Sequence, residues 1–186
     1  MNRQEKLEQG FVSYMQKKYK EDFTFREWKG SHIGNGNREA YMKSDRFPEE
    51  RIWVERTVGE DRTVTYRDNY MGYYYQDEIK KLVEKTTEGV FTDAQVNYFP
   101  FKSLIWDESD SPVTLEELLA DTSTTLHVTI SLSASPKDRD AAMELWRRNL
   151  KEEHLRLDGN IETQDGSETG HFAMDEFYEF LYLNWR

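Results

Sequence analysis

Five tyrosines lie within ten residues near the centre of the chain, between Tyr66 and Tyr75. Phenol hydroxyls at this density could line a polar cleft, or the rings could stack on sugars or bases. The segment 66–79 is also where strand spacing gives way to helix spacing. It could therefore be a binding site or a joint between two elements.

Helical spacing favours the second interpretation of these tyrosines. One face of a helix here carries a stripe of large side chains: Met71, Tyr75, Ile79 and Leu82. That spacing is typical of core packing, and it places Tyr70 and Tyr73 toward the edges of the stripe. Tyr70 and Tyr73 are therefore the tyrosines of this segment that we retain as candidate ligand-binding residues.

One of the histidines is a further candidate for a functional residue. The four histidines are scattered along the chain: His32, His127, His154 and His171. None forms an HExxH motif or a close ligand pair. His127 lies on the polar face of a predicted strand, so it is the best candidate for a general base or ligand contact, with an acidic partner that the sequence does not specify.

Two acidic segments could in principle hold a hard cation, which requires several oxygen ligands from a shaped loop. One is the loop from Asp107 to Asp110, and the other is the window 158–169. That window resembles an EF-hand loop, but Thr163 replaces the required glycine and Thr169 the required acid. We interpret both as solvated turns and expect no metal and no cofactor. The chain has no P-loop, GxSxG or kinase motif, and we assign no catalytic residue.

Composition narrows the class of protein. The net charge is −11 and there is no cysteine. The acidic excess disfavours nucleic-acid binding and suits a solvated surface or a basic partner. Disulfides and thiolate chemistry are excluded. No apolar run approaches the length of a transmembrane helix. The location is cytoplasmic, or extracytoplasmic if a signal was removed; the sequence does not separate these.

Periodicity predicts helices and strands that alternate along the chain. In order, they are a helix over 3–20; strands over 22–28, 40–46, 52–58 and 63–67; a helix from the tyrosine segment to Lys85; a strand over 90–101; a short helix over 115–120; a strand over 125–132; a long helix over 135–156; and strands over 161–164 and 178–184. The glycine-rich stretch 29–37 is predicted to be a turn. Ser135, Pro136 and Asp138 fit N-cap, N1 and N3 of the long helix, which Asp158 and Gly159 are expected to end.

The order of elements predicts an α+β fold. Short turns between consecutive strands imply mainly antiparallel sheets, with three longer helices packed on them. A chain of 186 residues suits a single compact domain over 1–186. The alternative is a split into a helix-plus-meander half, 1–88, and a second α+β half, 89–186.

Two stretches carry a resemblance to a known group of proteins. Residues 11–23 follow a pattern of a helix and then K-Y-x-E-x-F, and residues 67–75 follow a hairpin with D-N-Y and a helix. Together they resemble uncharacterised extracytoplasmic lipoproteins of Gram-positive Firmicutes, over roughly residues 9–80. The lipid-bearing cysteine of such proteins is missing here. The resemblance implies no known activity, so it transfers no functional residue.

Three functions remain open. The first is a soluble non-catalytic binding or accessory domain at a bacterial cell surface, with a protein or small ligand as its unknown partner. The second is an acidic immunity-type protein that neutralises a basic protein. The third is a hydrolase built from dispersed carboxylates and tyrosines. We lean away from an enzyme, and the sequence does not give an oligomeric state.

Overall fold

The computed structural model describes residues 2–30 and 36–185. It confirms the α+β class, with two sheets of mostly antiparallel strands and three longer helices. Contacts divide the chain into two compact units. Unit 1 contains the chain up to Tyr74 together with Trp106–Thr114, and unit 2 contains Tyr75–Ile105 and the chain from Leu115 onward. The number of cooperatively folding domains stays a prediction.

Unit 1 is a helix, a four-stranded meander and a short second helix. Its elements are α1 (Arg3–Tyr19), β1 (Phe23–Trp28), β2 (Arg38–Ser44), β3 (Ile52–Val58), β4 (Val64–Asp68) and α2 (Tyr70–Tyr74). The strands lie in the order β1-β2-β3-β4, and every neighbouring pair is antiparallel.

The core of unit 1 lies between α1 and the sheet. Phe11 and Met15 on α1 are fully buried, as are Met42 and Val54 on β2 and β3. Asn2 begins α1 with a reciprocal capping box in which its side chain accepts from the Glu5 backbone N–H. The cap and the buried stripe together explain why this segment forms a helix at this place.

Unit 2 is a five-stranded sheet with helices. Its elements are α3 (Gln76–Thr87), β5 (Gln95–Tyr98), a 3₁₀ turn (Pro100–Lys102), α4 (Leu115–Ala120), β6 (Leu126–Leu132), α5 (Arg139–Glu152), β7 (Leu157–Thr163), β8 (Thr169–Met174) and β9 (Phe180–Trp185). The strand order is β5-β6-β7-β8-β9. β6 and β7 pair in parallel, and α5 connects them as a crossover, whereas the other strand pairs described in this sheet are antiparallel.

The core of unit 2 lies between this sheet and α3 and α5. Trp146 on α5 is fully buried and packs edge-on against Phe172 of β8, with ring centroids 5.2 Å apart. Its indole N–H donates to the Thr86 hydroxyl at the end of α3, at 3.0 Å. Burying a Trp together with its polar edge fixes α5 between α3 and the sheet.

The predicted start and end of the long helix are wrong. The N-cap is Asp138, whose carboxylate accepts from the Ala141 backbone N–H at 3.0 Å, so α5 begins at Arg139. The Ser135 hydroxyl instead donates to the Glu168 carboxylate. The helix ends at Glu152 rather than near Arg156.

Two other predicted boundaries are also wrong. The strand predicted over 90–101 is only β5, Gln95–Tyr98. The chain before it forms a turn, in which the backbone N–H groups of Val90 and Phe91 donate to the Thr87 carbonyl. Asp158 and Gly159 do not end a helix but lie inside β7, which is longer than the predicted strand 161–164.

The tyrosine segment forms two helices rather than one. α2 ends at Tyr74 and α3 begins at Gln76, so Tyr75 interrupts the helix. Helical spacing cannot be extended across this break, and Tyr70 and Tyr73 are fully buried rather than at the edge of a stripe. Asp107 is also buried, contrary to the prediction of a solvated turn at 107–110.

Some residues named in the sequence predictions lie outside the described ranges. They are His32, Gly34 and most of the turn predicted over 29–37. Within residues 2–30 and 36–185, no helix has the length and apolar character needed to cross a membrane.

Candidate ligand-binding site

A cleft of about 700 Å³ lies within unit 2, and we call it the unit 2 cleft. This volume is in the range of small-molecule sites. The residues that line it are Leu82, Leu115, Glu116, Leu119, Ala120, Thr122, Glu153, His154, Arg156, Glu176 and Tyr178. One apolar wall comes from α3 and α4. The polar groups come from α4 and the chain after it, from the link between α5 and β7, and from the turn between β8 and β9.

His154 reaches the cleft through a tight helix ending. The backbone N–H of His154 donates to the Lys151 carbonyl at 3.2 Å, and that of Leu155 donates to the Leu150 carbonyl at 2.9 Å. These two bonds define a Schellman ending, with buried Leu150 and Leu155 as its apolar contact. His154 occupies the position where glycine is usual, with φ of 56°.

Tyr178 reaches the cleft through a second constrained turn. The Asp175 carboxylate accepts from the backbone N–H groups of Phe177 and Glu179, at 2.8 and 2.9 Å. Tyr178 has φ of 65° inside this turn. Among the described residues, five non-glycine side chains have positive φ, and two of them line this cleft. Such conformations are concentrated at functional sites, where the surroundings hold them in place.

Arg156 is the buried anchor of the cleft, with 4% of its surface exposed. Its guanidinium donates to the carbonyls of Leu119 at 3.0 Å and Thr124 at 3.2 Å, and also to that of Asp121. A further N–H donates to the Tyr178 hydroxyl at 3.0 Å. Arg156 therefore joins the chain after α4 to the β8–β9 turn and keeps Tyr178 in place. Because the Tyr178 oxygen accepts from Arg156, its own proton can be donated to a ligand.

The exposed charged residues of the lining are acidic, and we call Glu116 and Glu176 the acidic entrance of the cleft. Glu116 and Glu176 are exposed, and Glu153 pairs with Lys85 at 2.5 Å. The lining also contains the buried Arg156, and His154 and Tyr178 present aromatic rings with centroids 6.4 Å apart. This combination suits a ligand with an apolar body and a positive group.

The predicted ligand residues Tyr70 and Tyr73 lie in unit 1 and do not line this cleft. Both side chains are fully buried, and burial raises the pKa of each hydroxyl above its usual value. Tyr70 donates to the Glu21 carboxylate, and Tyr73 donates to the Arg51 carbonyl at 3.2 Å. A role for them in ligand binding stays a prediction.

His127 has an acidic neighbour that the sequence did not identify. Its Nδ1 lies 2.9 Å from Oδ1 of Asp158, its partner in the parallel register of β6 and β7. The Ser103 hydroxyl accepts from the His127 backbone N–H and not from the ring. His127 does not line the unit 2 cleft. The structure brings His127 and Asp158 together, and a role of His127 in ligand binding stays a prediction.

Unit 1 contains a buried charged cluster that we call the Lys18 cluster: Lys18, Asp68, Asp107, Tyr14 and Tyr19. The Lys18 ammonium lies 2.9 Å from Oδ2 of Asp68 and 3.0 Å from Oδ2 of Asp107. The two tyrosine hydroxyls each donate to Asp68 at 2.7 Å. Two backbone hydrogen bonds between Asp68 and Asp107 add the segment Trp106–Thr114 to this unit.

Burial dominates the electrostatics of the Lys18 cluster. With both acids ionised it holds two negative charges and one positive charge, away from water. Burial raises the pKa of Asp68 above its usual value, although Lys18 and the tyrosines act in the opposite direction. Burial, followed by the charge of Asp68, also raises the pKa of the Tyr14 and Tyr19 hydroxyls.

Sequence reasoning missed both sites for identifiable reasons. The cleft residues come from four separate stretches of the chain, and no periodic pattern indicates which stretches meet. Lys18 did carry a signal, because it falls within the apolar stripe of α1, where a lysine needs a buried partner. No group of three or more His, Asp and Glu within residues 2–30 and 36–185 is arranged to hold a metal ion.

Comparison with known proteins found one distantly similar solved structure. No protein-family model matches the chain, and no curated protein matches it significantly. Among solved structures it is similar to a DUF5037 family protein from Ruminococcus gnavus, a Firmicute, at 13% identity and a TM-score of 0.45. That match covers 91% of this chain and 76% of that chain. A similarity this low assigns neither a family nor a ligand.

Proposed function

We propose that the chain is a non-catalytic binding domain whose unit 2 cleft takes a ligand with an apolar body and a cationic group. The observation that carries the proposal is the combination of an apolar wall with an acidic entrance in a space of about 700 Å³. A small molecule or a basic side chain flanked by apolar groups fits this chemistry.

A set of amphiphiles with one alkyl chain and three head groups tests the proposal. Quaternary ammonium, neutral and carboxylate forms are titrated into the isotope-labelled protein below their micelle concentrations, and chemical shifts are followed. We expect the ammonium form to bind most tightly and to shift the signals of Leu115, Leu119 and Tyr178. Equal affinity for the three forms, or shifts confined to unit 1, would contradict the proposal.

The acidic entrance can be tested separately from the apolar wall. Glu116 and Glu176 are exposed, so changing both to Gln leaves the core untouched. Each exposed charge contributes about 0.2–1 kcal/mol, so the double variant should bind the ammonium form about 2- to 30-fold more weakly. Its affinity for the neutral form should not change. Glu60→Gln, an exposed position in unit 1, is the matched control.

A basic protein partner, as for an immunity-type protein, is the second candidate. The net charge of −11 and the acidic entrance favour it over a neutral partner. Such binding would weaken steeply with salt, whereas binding of the neutral amphiphile would not.

A cell-surface location rests on the sequence resemblance to lipoproteins. The gene region before Met1 tests it, because a signal peptide with a lipid-accepting cysteine would support the anchored form. A ribosome-binding site directly before Met1 would contradict it.

A further inference from the structure

We propose that Lys18 and Asp68 become joined by an amide bond between their side chains, in a reaction that the folded unit 1 promotes itself with Asp107 as the proton carrier. This goes beyond the binding function and does not depend on the unit 2 cleft. The product is a covalent link between α1 and β4 in a chain that has no cysteine for a disulfide.

The three reacting side chains are already in contact and shielded from water. Nζ of Lys18 lies 2.9 Å from Oδ2 of Asp68 and 3.0 Å from Oδ2 of Asp107. The side chains of Lys18, Asp68 and Asp107 are 1%, 0% and 2% exposed, respectively. Fixing an amine and a carboxyl group at this separation gives a high effective concentration, and excluding water favours condensation over hydrolysis.

The hydrogen bonds of Asp68 distinguish its two oxygens. Oδ1 accepts from the Tyr19 hydroxyl at 2.7 Å and from the Tyr70 backbone N–H at 2.9 Å. Two fixed donors at these distances have the geometry of an oxyanion hole, so Oδ1 is the oxygen that carries negative charge when the carbonyl is attacked. Oδ2 accepts from the Tyr14 hydroxyl at 2.7 Å and faces Nζ, so Oδ2 is the oxygen that leaves.

The reaction needs Lys18 and Asp68 in their neutral forms. Nζ of Lys18 lies 2.9 Å from Oδ2 of Asp68, so a proton can pass directly from the ammonium to this carboxylate, whose pKa is raised by burial. That transfer produces a neutral amine beside a neutral carboxylic acid and removes two buried charges. Oδ1 of Asp107 accepts from the Ser109 backbone N–H at 2.9 Å, which holds Oδ2 against Nζ as the acceptor for the next proton.

The steps balance without any other reactant. Nζ attacks Cγ of Asp68, the Nζ–Cγ bond forms, and the electron pair of the carbonyl moves to Oδ1. Asp107 takes one proton from Nζ and returns it to Oδ2. The Cγ–Oδ2 bond then breaks, water leaves, and Asp107 is ionised again. Overall, an ammonium and a carboxylate become an amide and one water molecule.

The test is the intact mass of the purified full-length protein after complete denaturation. We expect a mass lower than that of the sequence by one water molecule. Succinimide formation at Asp158-Gly159 or Asp165-Gly166 would also remove water. Tandem mass spectrometry of a protease digest separates the two, because only the amide joins a peptide containing Lys18 to one containing Asp68. An unmodified mass for the wild-type protein overturns the proposal, and so does a link from Lys18 to Asp107.

Variants test the assigned roles. Lys18→Arg and Asp68→Ala should both have the full sequence mass, whereas the exposed neighbour variant Lys17→Arg should still lose water. Asp107→Asn keeps both reacting groups and should slow the link about 10²- to 10⁴-fold, the range for a general base. The wild-type mass does not depend on any variant folding. Formation of the link in Asp107→Asn at the wild-type rate overturns the role of Asp107.

Discussion

At the scale of single residues, His154 combines conformational strain with a place in the cleft. It occupies the left-handed position of a Schellman ending, where a side chain costs roughly 1–2 kcal/mol relative to the right-handed region. Asn or Gly would suit that backbone better. The backbone of His154 is strained and its side chain lines the unit 2 cleft, so under the proposed function this ring contacts the ligand.

His154→Gly should therefore make the protein more stable and a poorer binder. Relief of the strain, less the greater entropy of the unfolded glycine, should raise the free energy of unfolding by about 0.5–1 kcal/mol. The affinity for the cationic amphiphile should fall, because the ring beside Tyr178 is removed. Urea denaturation and the amphiphile titration measure the two effects.

Lys20→Gly provides the matched control. Lys20 ends α1 with φ of 57°, almost the same conformation as His154, but lies in unit 1. The same gain in stability is expected there, without any change in amphiphile binding. If His154→Gly bound as tightly as the wild type, His154 would have no role in the cleft.

At the scale of elements, the parallel pair β6 and β7 depends on one glycine. Gly159 has φ of 144° and lies opposite Val128 in the register. A Cβ built there would stand 1.8 Å from the Val128 carbonyl oxygen. Only glycine lets the two strands approach this closely.

Gly159→Ala should consequently destabilise the protein by more than about 3 kcal/mol, since backbone atoms of two core strands must separate. Gly166→Ala is its control, because φ is 69° there and a Cβ would have no neighbour within 4 Å. That change should cost only about 1–2 kcal/mol. Urea denaturation of both variants gives the comparison, and similar losses would show that the contact with Val128 is not limiting.

The elements differ in how far their sequences determine them. β6 could be predicted because Leu126, Val128 and Ile130 alternate with polar residues, and alternation is a local property. The start of α5 could not, because Ser135 and Asp138 are both good caps. The choice depends on the contact of Ser135 with Glu168, more than thirty residues away.

The candidate site was less predictable than the fold. The local sequence predicts Arg156 at the end of a helix and Tyr178 at the start of a strand. Their hydrogen bond forms only in the folded chain, so the sequence gives no sign of it. Tyr70 and Tyr73 are expected at the edge of a stripe only if one helix runs through the whole segment, and in the structure both are fully buried. Gly72 lies inside α2, three residues before the break at Tyr75, but one glycine does not fix where a helix ends.

At the scale of the whole molecule, unit 1 is not a continuous piece of chain. It includes Trp106–Thr114, which supplies Asp107 to the Lys18 cluster and places Trp106 against Trp53, with ring centroids 4.4 Å apart. The alternative boundary after residue 88 would cut this segment away from the rest of unit 1.

A fragment of residues 1–88 should for this reason be unstable. Loss of Trp106 and Asp107 uncovers Trp53 and the Lys18 ammonium, and removing a large packed aromatic alone costs about 3–5 kcal/mol. Circular dichroism and the dispersion of amide signals measure the outcome. Fragment 1–114, which restores the segment, is the control, and a well-folded 1–88 would show that the segment is dispensable.

Because segment Trp106–Thr114 belongs to unit 1, the folding of unit 1 during synthesis must wait for it. Lys18 and Asp107 are 89 residues apart, so a ribosome adding 5–20 residues each second releases them roughly 4–18 s apart. During that interval α1 and the meander exist without the piece that closes their charged cluster. The nascent chain is therefore exposed to chaperones and proteases for longer than the length of its first four strands would suggest.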